Sequence, residues 1–451
     1  MKKVFATLCF VFCFIGAQLC APASAFAATE IQDTEIEATL YGLIDPLANA
    51  AGVPAGRMKI HIINDNDFNA FVMGGEDVYI FTGLITTVES PVAFQAVIAH
   101  ELGHMMGGHM AQMSAEMRAQ MVRSLIVQAL GVALAVAGGN PGLGMGVVAG
   151  AGGMAQSGLN AFSRNEERLA DNAGLKLLAA AGLDPTGLLD VMKQMNDIHS
   201  GIESKINPYA ISHPMTSERM ENVKKWLADH KTKNEKRKTK NEVEKYTLIR
   251  AKIIGYLSSP DRVMAMYPES DTSTPAVYAR AIMRMQMGNL ADARMGALAL
   301  ITAAKNNPYY YELLGDIEYQ YGHYDDSVKA YEKSLSLIGG GDAPQIQVAL
   351  ALVLSERGKP GDADRAVEMC KRAQLVQKSP LSYWVLARAE NTRGNAGISD
   401  WAMAEYYAAA HNADKAKEYA RRAQKELPKN GPEYLKSADI LKSTDIDADD
   451  D

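Results

Sequence analysis

The stretch Val97-Ile98-Ala99-His100-Glu101-Leu102-Gly103-His104 places two imidazoles four residues apart behind an apolar run. On a helix, His100 and His104 stand one turn apart on one face, so both can reach a single ion. Glu101 then points to where an attacking water would sit. At this chain's histidine frequency the pattern HExxH arises by chance in roughly one such sequence in a hundred, so chance is a weak competitor. The other competitor is a helix surface that happens to carry two His and a Glu. Beside so apolar a run each buried polar group without a partner would cost about 2 to 7 kcal/mol, which favours a metal site.

A catalytic zinc needs a third protein ligand and an open position. One route, a third His in the extended pattern HExxHxxGxxH, fails here: Gly107 fits, but position 110 is Met110 and His109 comes one place early. The other route is a carboxylate from a second helix, and Ser163-Arg164-Asn165-Glu166-Glu167-Arg168-Leu169-Ala170-Asp171 supplies it.

Together these motifs resemble the HtpX and CAAX-prenyl-protease superfamily of metallopeptidases, whose second motif is ExxAD. Only Glu167 has that spacing to Ala170 and Asp171, and Glu166 is out of register. The resemblance implies one zinc ion per chain on His100, His104 and Glu167, with Asp171 orienting a zinc-binding His. A surface carboxylate paired with an Arg is the alternative for Asp171. Upstream, Asn69-Ala70-Phe71 and Gly75-Glu76-Asp77-Val78-Tyr79-Ile80-Phe81-Thr82-Gly83-Leu84 resemble the superfamily's hairpin beside the cleft, where substrate adds by backbone hydrogen bonding. That makes Asn69, Ala70, Phe71, Val78, Tyr79 and Ile80 the expected substrate contacts; an ordinary edge strand is the plainer reading. Downstream, Ser212-His213-Pro214 with Glu218-Arg219 resembles the superfamily's HP...R element. His213 there has three readings: a fourth zinc ligand that keeps the enzyme latent, a donor to the oxyanion, or a loop residue.

At 451 residues the chain exceeds one ordinary core, and 47% hydrophobic with 22% charged residues is a globular composition. A net charge of -7 gives no nucleic-acid signature. Residues 1–27 read as a cleaved export leader: Lys2 and Lys3, an apolar stretch from Val4 to Gly16, and small residues at Ala23-Ser24-Ala25 and Ala25-Phe26-Ala27. Cys9, Cys13 and Cys20 lie in that leader, so Cys370 alone would remain and no intramolecular disulfide is expected.

The expected fold is α+β and mainly helical: a gluzincin-like peptidase domain with a small edge sheet over residues 28–230, then an all-α solenoid. The polar run from Lys231 to Lys240 reads as a solvated linker or an exposed helix, and the linker is set at 231–247. Over 248–430, Gly288, Gly322, Gly358 and Gly394 recur at spacings of 34, 36 and 36 after amphipathic segments, which means stacked helix pairs. Tyr311, Leu314-Gly315, Tyr331 and Ser334, then Tyr407, Ala416, Ala420, Ala423 and Pro428, resemble the tetratricopeptide pattern. An acidic tail closes the chain over 431–451. The segment 124–163, uncharged and rich in Gly, is too broken for a straight membrane span, which leaves it to cover the cleft, to touch a membrane or partner, or to form core helices.

Leader, peptidase domain and repeats together resemble the periplasmic members of the superfamily. That implies a zinc endopeptidase degrading misfolded or stalled outer-membrane and envelope proteins, with the outer-membrane assembly machinery as partner of the repeats. The alternative is a chaperone or assembly factor whose zinc site is mostly latent.

Overall fold

A computed structural model describes residues 30–54, 56–74, 76–108, 164–200, 209, 213–214, 216–230, 240–340, 342–410 and 412–446. The leader, the segment 109–163, the polar run 231–239 and the tail from 447 lie outside the described residues. The described residues form two units, one reaching Ile254 and one beginning at Gly255.

The first unit opens with β1 (Glu30–Ile31) and α1 (Thr34–Ala50), then β2 (Lys59–Ile63), β3 (Ala70–Met73) and β4 (Asp77–Phe81). The sheet order is β1-β2-β4-β3, with β2 parallel to β4 and β3 antiparallel to β4. Strand alternation sends Ile60, Ile62, Ala70, Val72, Val78 and Ile80 into the core. On the opposite face His61, Tyr79 and Phe71 stack ring on ring across three strands. β3 is an edge strand of this sheet, and among the described residues no strand pairs with its outer side.

Next come α2 (Thr82–Thr87) and α3 (Pro91–Met106), the HExxH helix. Ser90 caps α3, its hydroxyl accepting from Val92 N at 3.2 Å, and Pro91 occupies the first turn, where no donor is needed. Buried from Ala93 through His104, α3 packs against β3 and against α4 (Arg164–Ala180). Two glycines allow that crossing. A Cβ at Gly103 would stand 2.5 Å from the Ala170 carbonyl oxygen, and one at Gly174 3.0 Å from that of Ala99. The glycine inside HELGH therefore lets α4 come close enough to bring Glu167 and Asp171 against the histidines. α5 (Thr186–Ser200) and α6 (Ser217–Asp229) complete this layer. No helix among the described residues is long and apolar enough to cross a membrane.

α7 (Lys240–Leu257) begins inside the stretch expected to be linker, and through Ile254 it packs with the peptidase unit. Tyr246 is fully buried; its hydroxyl donates to the Val88 carbonyl at 3.1 Å. Arg250 donates to the carbonyls of Ile85 at 3.1 Å and Thr86 at 2.9 Å, groups that the end of α2 leaves without helical partners. Lys252 Nζ lies 2.7 Å from Asp33 and 3.3 Å from Glu35, all three buried. These buried contacts tie α7 to the first unit as far as Ile254. Arg250→Ala should destabilise the peptidase unit by about 1 to 3 kcal/mol, the cost of orphaned buried acceptors, and denaturant titration of the full chain reads it.

The second unit contains α8 (Pro260–Met266), α9 (Thr274–Gln286), α10 (Leu290–Ala303), α11 (Pro308–Tyr321), α12 (Tyr324–Ile338), α13 (Pro344–Arg357), α14 (Asp362–Val376), α15 (Pro380–Thr392), α16 (Ala396–Ala409), α17 (Ala413–Glu426) and α18 (Pro432–Ile446). Each periodic glycine terminates the first helix of a pair with a left-handed turn, φ being 75° at Gly288, 77° at Gly322, 65° at Gly358 and 81° at Gly394. Gly315 allows the Tyr331 ring to pack on the α11 backbone, and Ala416, Ala420 and Ala423 are fully buried where α17 meets its neighbours. The unit is the expected all-α solenoid. Its last helix reaches Ile446, inside the stretch expected to be tail.

Candidate metal centre

α3, α4 and the residues before α6 converge on one buried cluster. His100, His104, Glu167 and His213 bring one donor atom each to within 4.8 Å of one another. His100 Nε2 lies 3.1 Å from His104 Nε2, 3.3 Å from His213 Nδ1 and 3.4 Å from Glu167 Oε2. Glu167 Oε1 lies 3.2 Å from His104 Nε2 and 2.9 Å from His213 Nδ1. Four ligands held tetrahedrally at ordinary zinc distances stand about 3.3 Å apart, so the spacing and the N/O chemistry of this set both fit such an ion.

Around the set, carboxylates and one guanidinium fix orientation. Asp171 Oδ1 lies 2.9 Å from His100 Nδ1, the nitrogen facing away from the cluster. Arg219 grips Asp171 with two bonds, Nε to Oδ2 at 2.8 Å and Nη2 to Oδ1 at 2.7 Å, and reaches Glu167 Oε2 at 2.6 Å. Asp171 is therefore no surface carboxylate: it is buried, paired with Arg219 and placed against His100 of the cluster.

Burial opposes charge on His100, yet hydrogen bonds to Asp171 and Glu167 outweigh it and raise the imidazole to about 10. Burial lowers His104 to about 3. Burial would raise Glu167, but donors from His100, His104 and His213 hold it far below the usual carboxylate range. Asp171 is likewise held low, against its burial, by Arg219 and His100. A metal ion entering this set would displace the His100 proton.

Glu101 is buried beside the cluster and outside the four-donor set. Burial pushes its carboxyl up, against the pull of His213 and His100. Its Oε1 accepts from the Tyr209 hydroxyl at 2.9 Å and lies 3.7 Å from His213 Nε2. The His213 ring thus spans the space between the carboxylates of Glu101 and Glu167.

Tyr209 carried no sequence signal of its own. It stands one helical turn before His213, whose N–H donates to the Tyr209 carbonyl at 2.8 Å. That four-residue spacing was its only trace. Arg219 had appeared within a motif, without a role.

The expected substrate contacts separate into two groups. Asn69, Ala70 and Phe71 lie at or on β3, the strand beside α3, though the Asn69 carbonyl already accepts from Phe81 N at 3.1 Å. Val78, Tyr79 and Ile80 lie on β4, whose backbone is paired on both sides, and Val78 and Ile80 are core residues. An interior strand cannot receive another strand through its backbone, so within this hairpin only β3 lies at an edge of the sheet.

Residues 33–227 match the model of Peptidase family M48. The beta-barrel assembly-enhancing protease of Escherichia coli K12 is 23% identical over 379 residues, 82% of this chain and 74% of that protein. Its Yersinia pestis counterpart is 22% identical over 77% of this chain and 70% of its own. The mitochondrial metalloendopeptidase OMA1 of Schizosaccharomyces pombe is 29% identical over 44% of this chain and 55% of its own. Among solved structures, a TPR protein of Thermus thermophilus is 17% identical, covering 44% of this chain and 95% of its own with a TM-score of 0.25. Yeast Tom70 is 12% identical, covering 81% and 89% with a TM-score of 0.26. The family match over residues 33–227, the protease relatives and the buried donor set together make the chain a metallopeptidase.

Proposed function

We propose that this protein is a zinc endopeptidase of the bacterial periplasm that cleaves misfolded or stalled outer-membrane and envelope proteins, with its helical repeats holding a partner from the assembly machinery. The observation that carries the peptidase reading is the buried set His100, His104, Glu167 and His213 with Glu101 alongside. The cellular reading leans on the name of the Escherichia coli relative and on the export leader.

Zinc, when bound, supplies Lewis acidity toward the scissile carbonyl and makes water a nucleophile near neutral pH. Glu101 takes the proton from the attacking water and returns one to the leaving amine. Asp171 keeps His100 turned toward the cluster, and Arg219 steadies both Asp171 and Glu167. The substrate strand adds to the open edge of β3, which reads backbone more than side chains and suits unfolded chains.

A second reading, an assembly factor with a latent site, is favoured by one specific observation: the His213 imidazole lies between the two carboxylates, its Nε2 3.7 Å from Glu101 and its Nδ1 2.9 Å from Glu167. The two readings coexist if His213 is a lock. Zinc-loaded full-length protein should then cleave an unfolded model protein slowly, a chelator should stop it, and His213→Ala should cleave roughly tenfold faster or more. No cleavage by the zinc-replete variant would overturn the peptidase reading. Slower cleavage with zinc retained would make His213 an oxyanion donor instead.

A further inference from the structure

His213 is not the sole group that crowds Glu101. Tyr209 is buried to the same degree, with 3% of each residue exposed, and touches three parts of the site at once. Its hydroxyl donates to Glu101 Oε1 at 2.9 Å, the carboxylate oxygen that also faces His213 Nε2. Its ring stacks on the His213 imidazole, centroids 4.3 Å apart and planes 29° apart. Its carbonyl accepts the His213 N–H at 2.8 Å. On its other side the ring meets Phe68 edge-on at 5.3 Å, immediately before Asn69 and the edge strand.

From this geometry we infer that Tyr209 is a second inhibitory contact: its phenol occupies the base while its ring and backbone brace the imidazole that blocks the metal's open position. The inference rests on the reading of Glu101 as base and His213 as blocking ligand, and adds what holds the block in place. An oxygen already accepting from a phenol is less available to a water, and a base so engaged is held away from its task. A hydrogen bond to a carboxylate is among the stronger ones in a buried site, so Tyr209 contributes to the closed arrangement as a positioning residue acting through Glu101 and His213.

Tyr209→Phe separates the contacts, since it keeps the ring and its stacking and removes only the hydroxyl. In zinc-loaded full-length protein it should raise kcat on an unfolded model substrate by roughly tenfold, because a charge-assisted bond is lost from the closed state alone. KM and zinc affinity should change little, and thermal unfolding should show a folded protein. Tyr209→Leu, which also removes the stack, should raise kcat further. A fall in kcat for Tyr209→Phe with zinc retained would overturn the inference by making the phenol a productive partner of the base, and an unchanged kcat would overturn it equally. His213→Ala, measured beside them, tells the two levels apart. If His213→Ala is activated and Tyr209→Phe is not, Tyr209 has no inhibitory part; if neither His213→Ala nor wild type cleaves, the reading of the site itself has failed.

Discussion

Glu101→Gln should reduce peptide cleavage by about 10² to 10⁴-fold while leaving the metal bound, and the two halves of that result have separate causes. The loss follows from the chemistry of the base, since a glutamine amide cannot accept the proton that the attacking water must give up, and positioned proton transfer contributes a factor of this size. The retention follows from the geometry. Glu101 stands outside the four-donor set, and its Oε1 bonds to Tyr209. The fold should tolerate the change as well. Burial disfavours the charge on Glu101, and the neutral amide can still accept the phenol's hydrogen bond through its carbonyl oxygen. Metal analysis of the purified variant together with its rate on an unfolded substrate decides the matter. Loss of the metal would place Glu101 among the ligands and overturn the assignment of it as base.

The metal cluster was legible because helix geometry turns spacing into direction. A four-residue step places His100 over His104, and the same step places Asp171 one turn from Glu167, so two short motifs specified most of the site without any knowledge of how the helices meet. What allows their meeting is glycine at two crossing points, Gly103 against Ala170 and Gly174 against Ala99. The repeats were legible for a related reason: a left-handed turn strongly favours glycine, so Gly288, Gly322, Gly358 and Gly394 mark each helix pair in the sequence itself.

Three features were hidden, each through tertiary contact. Tyr209 looks like any aromatic until the chain folds its hydroxyl onto Glu101. Arg250 and Lys252 are charged residues, yet they bury themselves on the carbonyls of the last turn of α2 and on the carboxylates of Asp33 and Glu35 at the start of α1, within the unit that reaches Ile254. The place of β4 inside the sheet was hidden because alternation reports one buried face and says nothing of strand order; order comes from the parallel pairing of β2 with β4, a non-local fact.

Glu167 should control metal affinity where Glu166 does not, and the contrast is sharp because the two are adjacent. Glu167 is fully buried on the α4 face that carries Ala170 and Asp171, whereas Glu166 is only partly buried and belongs to no metal-ligating set among the described residues. Removing a ligand should cost more than the 10- to 100-fold that loss of an outer partner costs, so Glu167→Ala should weaken zinc binding by roughly 100-fold or more, and Glu166→Ala by little. Glu167→Ala nonetheless leaves His100, His104 and His213, and three imidazoles are themselves a competent zinc set. Residual binding in that variant should therefore depend on His213. Adding His213→Ala should abolish stoichiometric zinc, whereas His213→Ala alone keeps the three remaining ligands and their ion. Competitive titration against a chelator of known affinity orders the four proteins. Glu166→Ala falling below Glu167→Ala in that order would show the second motif to be out of register by one residue.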